Sequence, residues 1–366
     1  MSKTLNKQGN YLTKPRITTG DRGQLGRLAL CILGFFLFFT MIVGLVSGSA
    51  QVSLMQLIND FQIKDFELLK ATNNYIILME IRAPRVILGL LVGAALAVSG
   101  VLMQGLFRNP LADPGIMGVS SGAALGAIVF IVLGAMLPQS LLFFFGSYGL
   151  FFCAFLGGAF VSFLLYAIAT RHGRTSIATM LLAGIAIAAL SGALVGFILF
   201  LANDNQLRDF TFWNLGSLAG ATWSHISIGM PIIVVCLFVS FFLASVLNAL
   251  SLGEAVANHL GFSVQKSKNL ALIIVSLMCG TATALSGGIG FVGIVVPHLL
   301  RLTIGPDHKY LLPCSALLGA SLLVLADTFA RLVVAPAELS IGIVTALFGA
   351  PFFLWILLRQ RGVLDL

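Results

Sequence analysis

The sequence predicts an all-α, polytopic membrane protein with ten transmembrane helices. Of its 366 residues, 58% are apolar and only 9% carry a charge. Apolar runs recur from Leu28 to Leu358 and are separated by short polar segments. A spanning helix needs about 20 apolar residues, and a charge at its centre costs about 2.5–3.5 kcal/mol on insertion scales. A water-soluble protein of this composition would have too few polar residues to cover its surface.

The apolar runs divide into ten predicted spans. Their approximate ranges are 28–48, 84–106, 115–135, 142–169, 177–201, 225–249, 269–286, 289–303, 310–332 and 340–358. Residues 1–27 are predicted to form a basic cytoplasmic tail, and residues 28–366 a single ten-helix domain. The first apolar run is longer than that of a signal peptide, so we expect a retained first helix.

The basic residues indicate the orientation of the spans. Most of the 21 lysines and arginines fall in the tail and in alternate connections, on the same side as Arg359 and Arg361 near the C terminus. Basic connections favour the cytoplasmic side, so both termini are predicted to be cytoplasmic. This bias also accounts for the net charge of +8 without a nucleic-acid partner. The five cysteines are isolated and form no CxxC pair, so no disulfide framework, metal site or cofactor is predicted.

Small residues predict close helix packing and an internal repeat. GxxxG steps occur at Gly89–Gly93 and again along Gly118, Gly122 and Gly126. A pattern of small residues in 93–100 recurs in 280–287, in a span predicted to run the opposite way. Inverted repeats are typical of transporters, although helices rich in small residues also match one another by chance.

The polar segment after the second span predicts a tight turn on the inner side. Asn109 precedes Pro110, and the residue before a proline avoids the helical region, so one helix ends here. Asp113 is then expected to cap the next helix, with Pro114 at its first position, where the missing N–H costs nothing.

A second inner segment has the pattern of a short amphipathic helix. Leu252, Val256 and Leu260 follow one another at intervals of four residues, and Gly261 is expected at the end of the helix. The apolar stripe is expected to lie either on lipid headgroups or in a groove of a partner protein.

Three arginines lie on the predicted outer side, against the usual charge bias. These are Arg82, Arg85 and Arg331. One explanation is local pairing, because Glu80 is near Arg82 and Asp327 stands four residues before Arg331.

Two long blocks of sequence carry a family resemblance. The first contains Arg82-Ala-Pro-Arg85 and Gln104-Gly-Leu-Phe-Arg-Asn-Pro-Leu-Ala-Asp-Pro-Gly115. The second contains Gly290-Phe-Val-Gly-Ile-Val-Val-Pro-His-Leu-Leu-Arg301. Both closely resemble the iron-siderophore, heme and vitamin B12 permease family of ABC importers, and the likeness extends from about residue 28 to the C terminus.

The resemblance implies a permease subunit of the bacterial inner membrane rather than an enzyme. The implied assembly is a homodimer with two copies of a cytoplasmic ATPase and a periplasmic heme- or siderophore-binding protein. The chain itself contains no GxxxxGK[ST] phosphate loop, so a partner is expected to hydrolyse ATP. An ion-coupled secondary transporter is the alternative of a different class. It would need acidic or histidine residues among the spans, where Asp327 is the credible acid.

The resemblance also implies roles for particular residues. Those expected to dock acidic residues of the binding protein are Arg82, Arg85 and Arg331. Those expected to couple the permease to the ATPase are Glu254, Val256, Leu260 and Gly261. Those expected at the inner gate and its turn are Asn109, Pro110, Leu111 and Asp113.

The segment Asn203-Asp-Asn-Gln-Leu-Arg208 and the following Trp213 are similar to the heme branch of the family. With His225, they suggest a substrate path that involves Arg208, Trp213 and His225. We therefore favour heme as the cargo, with a ferric siderophore or a corrinoid as the alternatives.

Overall fold

The computed structural model describes residues 23–48, 72–134, 146–171 and 174–364. The helices are α1 (Gly23–Val46), α2 (Asn73–Phe107), α3 (Val119–Leu133), α4 (Gly149–Ala169), α5 (Ile177–Phe200), α6 (Asp204–Asn214), α7 (Trp223–Phe241), α8 (Ala244–Ser251), α9 (Glu254–His259), α10 (Val264–Ser286), α11 (Val292–Thr303), α12 (His308–Val333) and α13 (Ile341–Leu364). Two-residue strands β1 (Thr170–Arg171) and β2 (Arg174–Thr175) pair antiparallel between α4 and α5. The predicted tail before residue 23 and the start of the predicted span at 142–145 lie outside the described residues.

The described residues contain the predicted set of apolar helices. Seven are long and apolar enough to cross a membrane: α1, α2, α4, α5, α7, α10 and α12. Three shorter apolar helices, α3, α11 and α13, bring the number to the ten that the sequence predicts. The all-α, polytopic prediction is therefore confirmed.

α2 lies at the centre of this bundle. It packs against α12, α10 and α11, and 89% of the residues in its most apolar stretch are buried. In α5 the corresponding share is 17%, so most of its side chains face outward. The core of the protein is thus built around one helix, while α5 forms part of the periphery.

Glycines allow the backbones around α2 and α3 to approach closely. A Cβ atom at Gly93 would meet the backbone carbonyl of Gly319 in α12, and one at Gly122 would meet the carbonyl of Gly157 in α4. The predicted GxxxG contacts therefore bring backbones together, as small residues do in membrane helix pairs. The two copies of the small-residue pattern lie on α2 and α10, which pack against each other.

Several predicted boundaries are wrong. The span predicted at 225–249 divides into α7 and α8 at residues 242–243. The span predicted from 289 begins only at Val292, because Gly287 and Phe291 adopt positive φ angles of 72° and 68° and interrupt the helix. The predicted outer loop contains α6, which starts with a capping box in which Asn203 and Gln206 exchange hydrogen bonds. The Asn-x-x-Gln spacing was the sequence signal for that helix.

Candidate functional site

Three arginines and two acidic residues form a compact group, here called the arginine cluster, at the end of α1, about three turns into α2 and near the end of α12. Arg82 and Arg85 come from α2, Asp327 and Arg331 from α12, and Glu338 from the connection 334–340. Residues three or four apart on a helix share one face, so Arg82 and Arg85 lie on one face of α2, and Asp327 and Arg331 lie on one face of α12. All of these residues are buried except Glu338.

Arg85 contacts both carboxylates of the arginine cluster. Its Nε lies 3.0 Å from each oxygen of Asp327, and its Nη2 donates to Asp327 Oδ1 at 2.9 Å. Its Nη1 donates to both oxygens of Glu338 at 2.9 Å. Arg331 Nε lies 3.1 Å from Asp327 Oδ2, so the local-pairing interpretation is confirmed for Arg331. Asp327 therefore balances two guanidinium groups.

The same cluster holds the end of α1. Arg82 Nη1 donates to the carbonyls of Leu45 and Val46 at 2.9 and 2.6 Å. Arg331 donates to the carbonyls of Ser47 and Gly44 at 3.0 and 3.2 Å. The last carbonyls of a helix lack partners within the helix and carry partial negative charge, so arginines stabilise them. The role of the three arginines in docking a binding protein stays a prediction.

The opposite end of the molecule, beyond Phe107 of α2, carries α9, which is shorter than the amphipathic helix that the sequence predicts. Leu252 caps the end of α8, Gly253 with a φ of 114° separates the two helices, and Leu260 follows the last residue of α9, so only Val256 of the predicted stripe lies within α9. Leu252, Val256 and Leu260 are all exposed, whereas Ala257 on the other face is fully buried. The predicted cap is also present. Gly261 has a φ of 87°, Phe262 N–H donates to Ala257 O, and Gly261 N–H donates to Asn258 O, which is a Schellman motif. Exposed apolar side chains therefore face away from the protein along α9 and the residues that flank it.

An ion pair links α9 to α10. Lys268 Nζ donates to Glu254 Oε1 at 2.6 Å, with the lysine buried and the glutamate half-exposed. Glu254 is the first residue of α9, and Lys268 lies in the first turns of α10. A displacement of α9 would therefore act directly on a helix that runs to Ser286.

The predicted turn after α2 is present at Asn109. Its Oδ1 accepts from Leu111 N–H at 2.9 Å, and its carbonyl accepts from Ala112 N–H at 3.1 Å, across Pro110. Asp113 Oδ1 accepts from Gly115 N–H at 2.6 Å, but it caps a single 3-10 turn, Pro114–Met117. α3 starts later, at Val119, so the predicted helix start at 115 is wrong.

Asp113 does not lie beside the end of α2, where Asn109 is located. It lines a cavity of about 200 Å³ together with Leu96, Ser120 and Cys279. Leu96 lies about three helical turns before Phe107, so the chain turns back beside α2 after residue 109. Asp113 thus joins Asp327 as an acidic residue among the spans, which its position in a connection had concealed in the sequence.

The predicted substrate-path residues are only partly brought together. Trp213 and His225 line one cavity of about 200 Å³, with Phe151 and Leu285. His225 Nδ1 lies 3.2 Å from Gly220 O. Arg208 lies outside this cavity, on an exposed face of α6, where its Nη2 is 3.4 Å from Asn205 Oδ1.

A bundle of ten apolar helices, with discontinuous backbone at 108–118 and 287–291, defines a polytopic membrane protein of the transporter class. Residues 36–359 match the FecCD transport family, and the chain belongs to that family. It is a permease subunit of an ABC importer.

Relatives with different cargoes resemble this chain to a similar degree. The hemin transport system permease protein of Yersinia pestis is 45% identical over 90% of this chain and 96% of its own length. The cobalamin import system permease protein of Halobacterium salinarum is 44% identical over 79% of this chain and 74% of its own length. An ABC transporter permease protein of Bacillus subtilis with no named cargo is 40% identical over 94% of this chain and 97% of its own length.

Among solved structures, an ABC transporter assigned to the metal-chelate type, in an inward-facing conformation, superposes with a TM-score of 0.78. It is 32% identical, and the match covers 90% of this chain and 98% of that chain. PsaBC from Streptococcus pneumoniae shares the fold at a TM-score of 0.52 and 17% identity, over 82% of this chain and 94% of that chain.

Proposed function

We propose that this protein is the permease of a heme importer. It works as a homodimer in the bacterial inner membrane, with both termini in the cytoplasm. The observation that supports heme as the cargo is the 45% identity to a hemin permease over 90% of this chain, because the similar identity to the cobalamin permease covers only 79% of it. The likeness of residues 203–208 to the heme branch supports the same cargo.

Energy for transport comes from two copies of a separate cytoplasmic ATPase. The chain has no phosphate loop of its own, and the segment 252–260, which contains α9, presents Leu252, Val256 and Leu260 to the outside of the molecule. An exposed apolar stripe on a well-capped helix is suited to a groove in a partner protein. Glu254 and Gly261 fix the two ends of this helix, so these two residues act together with Val256 and Leu260 as one coupling element.

Heme reaches the permease from a periplasmic binding protein that docks at the arginine cluster. Among its five side chains, three guanidinium groups face two carboxylates, which leaves one positive charge in excess. An acidic partner surface complements that charge, and the guanidinium fork binds carboxylates in two-point contacts. Inside the membrane, Trp213 and His225 border the path of the cargo, and the turn Asn109–Leu111 lies at its inner gate.

The test is ATP-driven uptake by vesicles that contain the permease, the ATPase and the added binding protein. Heme, cobalamin and a ferric siderophore are offered separately and in competition, with a hydrolysis-deficient ATPase as the control. We expect heme to accumulate only when ATP is hydrolysed, and the other two compounds to compete weakly. If cobalamin or the siderophore is taken up in preference to heme, that compound is the cargo, and the proposed ABC importer mechanism is unaffected.

An ion-coupled secondary transporter is distinguished by the same vesicles. It would accumulate heme without the ATPase, and a protonophore would abolish that uptake. Heme uptake by an ABC importer continues in the presence of the protonophore as long as ATP is supplied.

A further inference from the structure

Glu338 occupies the position on Arg85 that an acidic partner would take. Nη1 of Arg85 donates to both Glu338 oxygens at 2.9 Å, which is the two-point geometry that arginine forms with carboxylates. The remaining Nε and Nη2 of Arg85 are directed at Asp327. A further carboxylate can therefore reach Nη1 of Arg85 only by replacing Glu338.

The two carboxylates on Arg85 differ in how readily they can leave. The Asp327 side chain is 4% exposed, lies inside α12 and is shared with Arg331. The Glu338 side chain is 41% exposed and lies in the connection 334–340, of which residues 334–338 are all exposed. Removing Asp327 would leave the buried Arg331 without a carboxylate and Arg85 with Glu338 alone, whereas Glu338 can turn into solvent while Arg85 keeps Asp327.

We propose that Glu338 is an exchangeable latch on Arg85: it closes the docking site in the free permease, and a carboxylate of the binding protein displaces it. This inference rests on the proposed docking of an acidic partner at the arginine cluster. The exchange replaces one carboxylate by another, so Arg85 keeps its partner while Glu338 is released to water. A site that is closed for part of the time binds its ligand more weakly in proportion to the open fraction.

The test measures the affinity of the permease–ATPase complex for the binding protein that supports uptake in the vesicle assay. Glu338→Gln should lower the Kd about 2- to 5-fold at low salt. A half-exposed ion pair is weak, so its loss can increase the fraction of open sites by about that factor at most. Glu338→Asp should act in the same direction, because it keeps the charge but shortens the side chain. Glu80→Gln is the matched control: it removes an exposed acid near Arg82 and should leave the Kd unchanged.

A second set of variants separates the latch from docking itself. Arg85→Lys keeps the charge but removes the fork, and should weaken binding in the presence or absence of Glu338. If Arg85→Lys weakens binding while Glu338→Gln and Glu338→Asp leave the Kd unchanged, the latch is refuted and docking stands. If Arg85→Lys also has no effect in a complex with unchanged thermal stability, docking at Arg85 is refuted, and the latch with it. A Kd lowered equally by Glu80→Gln would show general charge attraction and would also overturn the latch.

Discussion

The two ends of the molecule use charge in different ways. At one end, the arginine cluster joins α1, α2, α12 and the connection 334–340 through buried guanidinium groups. At the other end, an ion pair between Glu254 and Lys268 and the buried Ala257 attach α9 to the bundle, while Val256 points outward. The arginine cluster therefore holds several elements of the chain together through ion pairs and hydrogen bonds, whereas the end with α9 presents an exposed surface to a partner.

This difference indicates where the protein is rigid and where it can move. Breaking a buried pair by removing one member costs several kcal/mol, whereas a half-exposed pair contributes about 0–1 kcal/mol. The arginine cluster thus fixes the relative positions of three helices, and only Glu338 on its exposed edge is free to change. The attachment of α9 is weak enough for a partner to displace it, and Lys268 passes the displacement to α10.

The largest expected effect comes from Asp327→Asn. It leaves Arg85 and Arg331 without their shared buried carboxylate, so we expect the free energy of unfolding to fall by about 3–5 kcal/mol. Thermal unfolding of the detergent-solubilised protein measures the change. Glu338→Gln in the same cluster should cost about 1 kcal/mol or less. Equal losses for the two variants would contradict the division into a buried and an exchangeable carboxylate.

A smaller loss is expected from Gly100→Ala in α2. A Cβ atom there would collide with the backbone of Gly293 in α11, and overpacking a tight helix contact costs about 1–3 kcal/mol. The matched control is Gly192→Ala in α5, where no atom lies within 4 Å of the added Cβ. That substitution should be neutral or slightly stabilising, because alanine favours helix more than glycine. A destabilised Gly192→Ala with an unaffected Gly100→Ala would contradict the central position of α2.

The comparison also shows what the sequence could predict. The number of apolar helices, the GxxxG contacts and the pairing of Asp327 with Arg331 follow from local periodicity and spacing. The exposed stripe of α9 and its glycine cap follow from the same kind of local rule. These features depend on residues that are near one another in the chain.

Features that depend on long-range packing could not be predicted. Glu338 reaches Arg85 across more than two hundred residues, and no spacing rule connects them. Asp113 follows a turn that looks like an ordinary helix connection, and only the cavity that it lines together with Leu96 reveals that the chain turns back. The burial of Lys268 against Glu254 depends on how α9 folds onto α10, and no local pattern in the sequence predicts it.

Val256→Asp should separate coupling from folding. Val256 is exposed on α9, so the fold should tolerate the charge, but a partner groove would have to bury it at a cost of about 1–3 kcal/mol. We therefore expect ATP-driven heme uptake to fall about tenfold or more, with unchanged thermal stability. Asn258→Asp places the same charge on another exposed part of α9 and should have little effect. Equal losses in both variants would mean that net charge matters and the apolar stripe does not.

The smallest expected effect on transport concerns the pair between Glu254 and Lys268. Glu254→Ala leaves a buried ammonium group without its partner, whereas Lys268→Ala leaves a half-exposed carboxylate that water can reach. Glu254→Ala should therefore lower the free energy of unfolding more than Lys268→Ala, for which we expect about 1 kcal/mol or less.

Both variants should raise the ATP consumed per heme transported by a few-fold, because α9 then moves without moving α10. The charge-swapped double variant Glu254→Lys with Lys268→Glu restores an ion pair in the opposite sense. If the pair transmits force, the double variant should recover coupling that each single variant loses. An ATP-to-heme ratio that is the same in all four proteins would mean that α9 acts on the bundle through its apolar contacts alone.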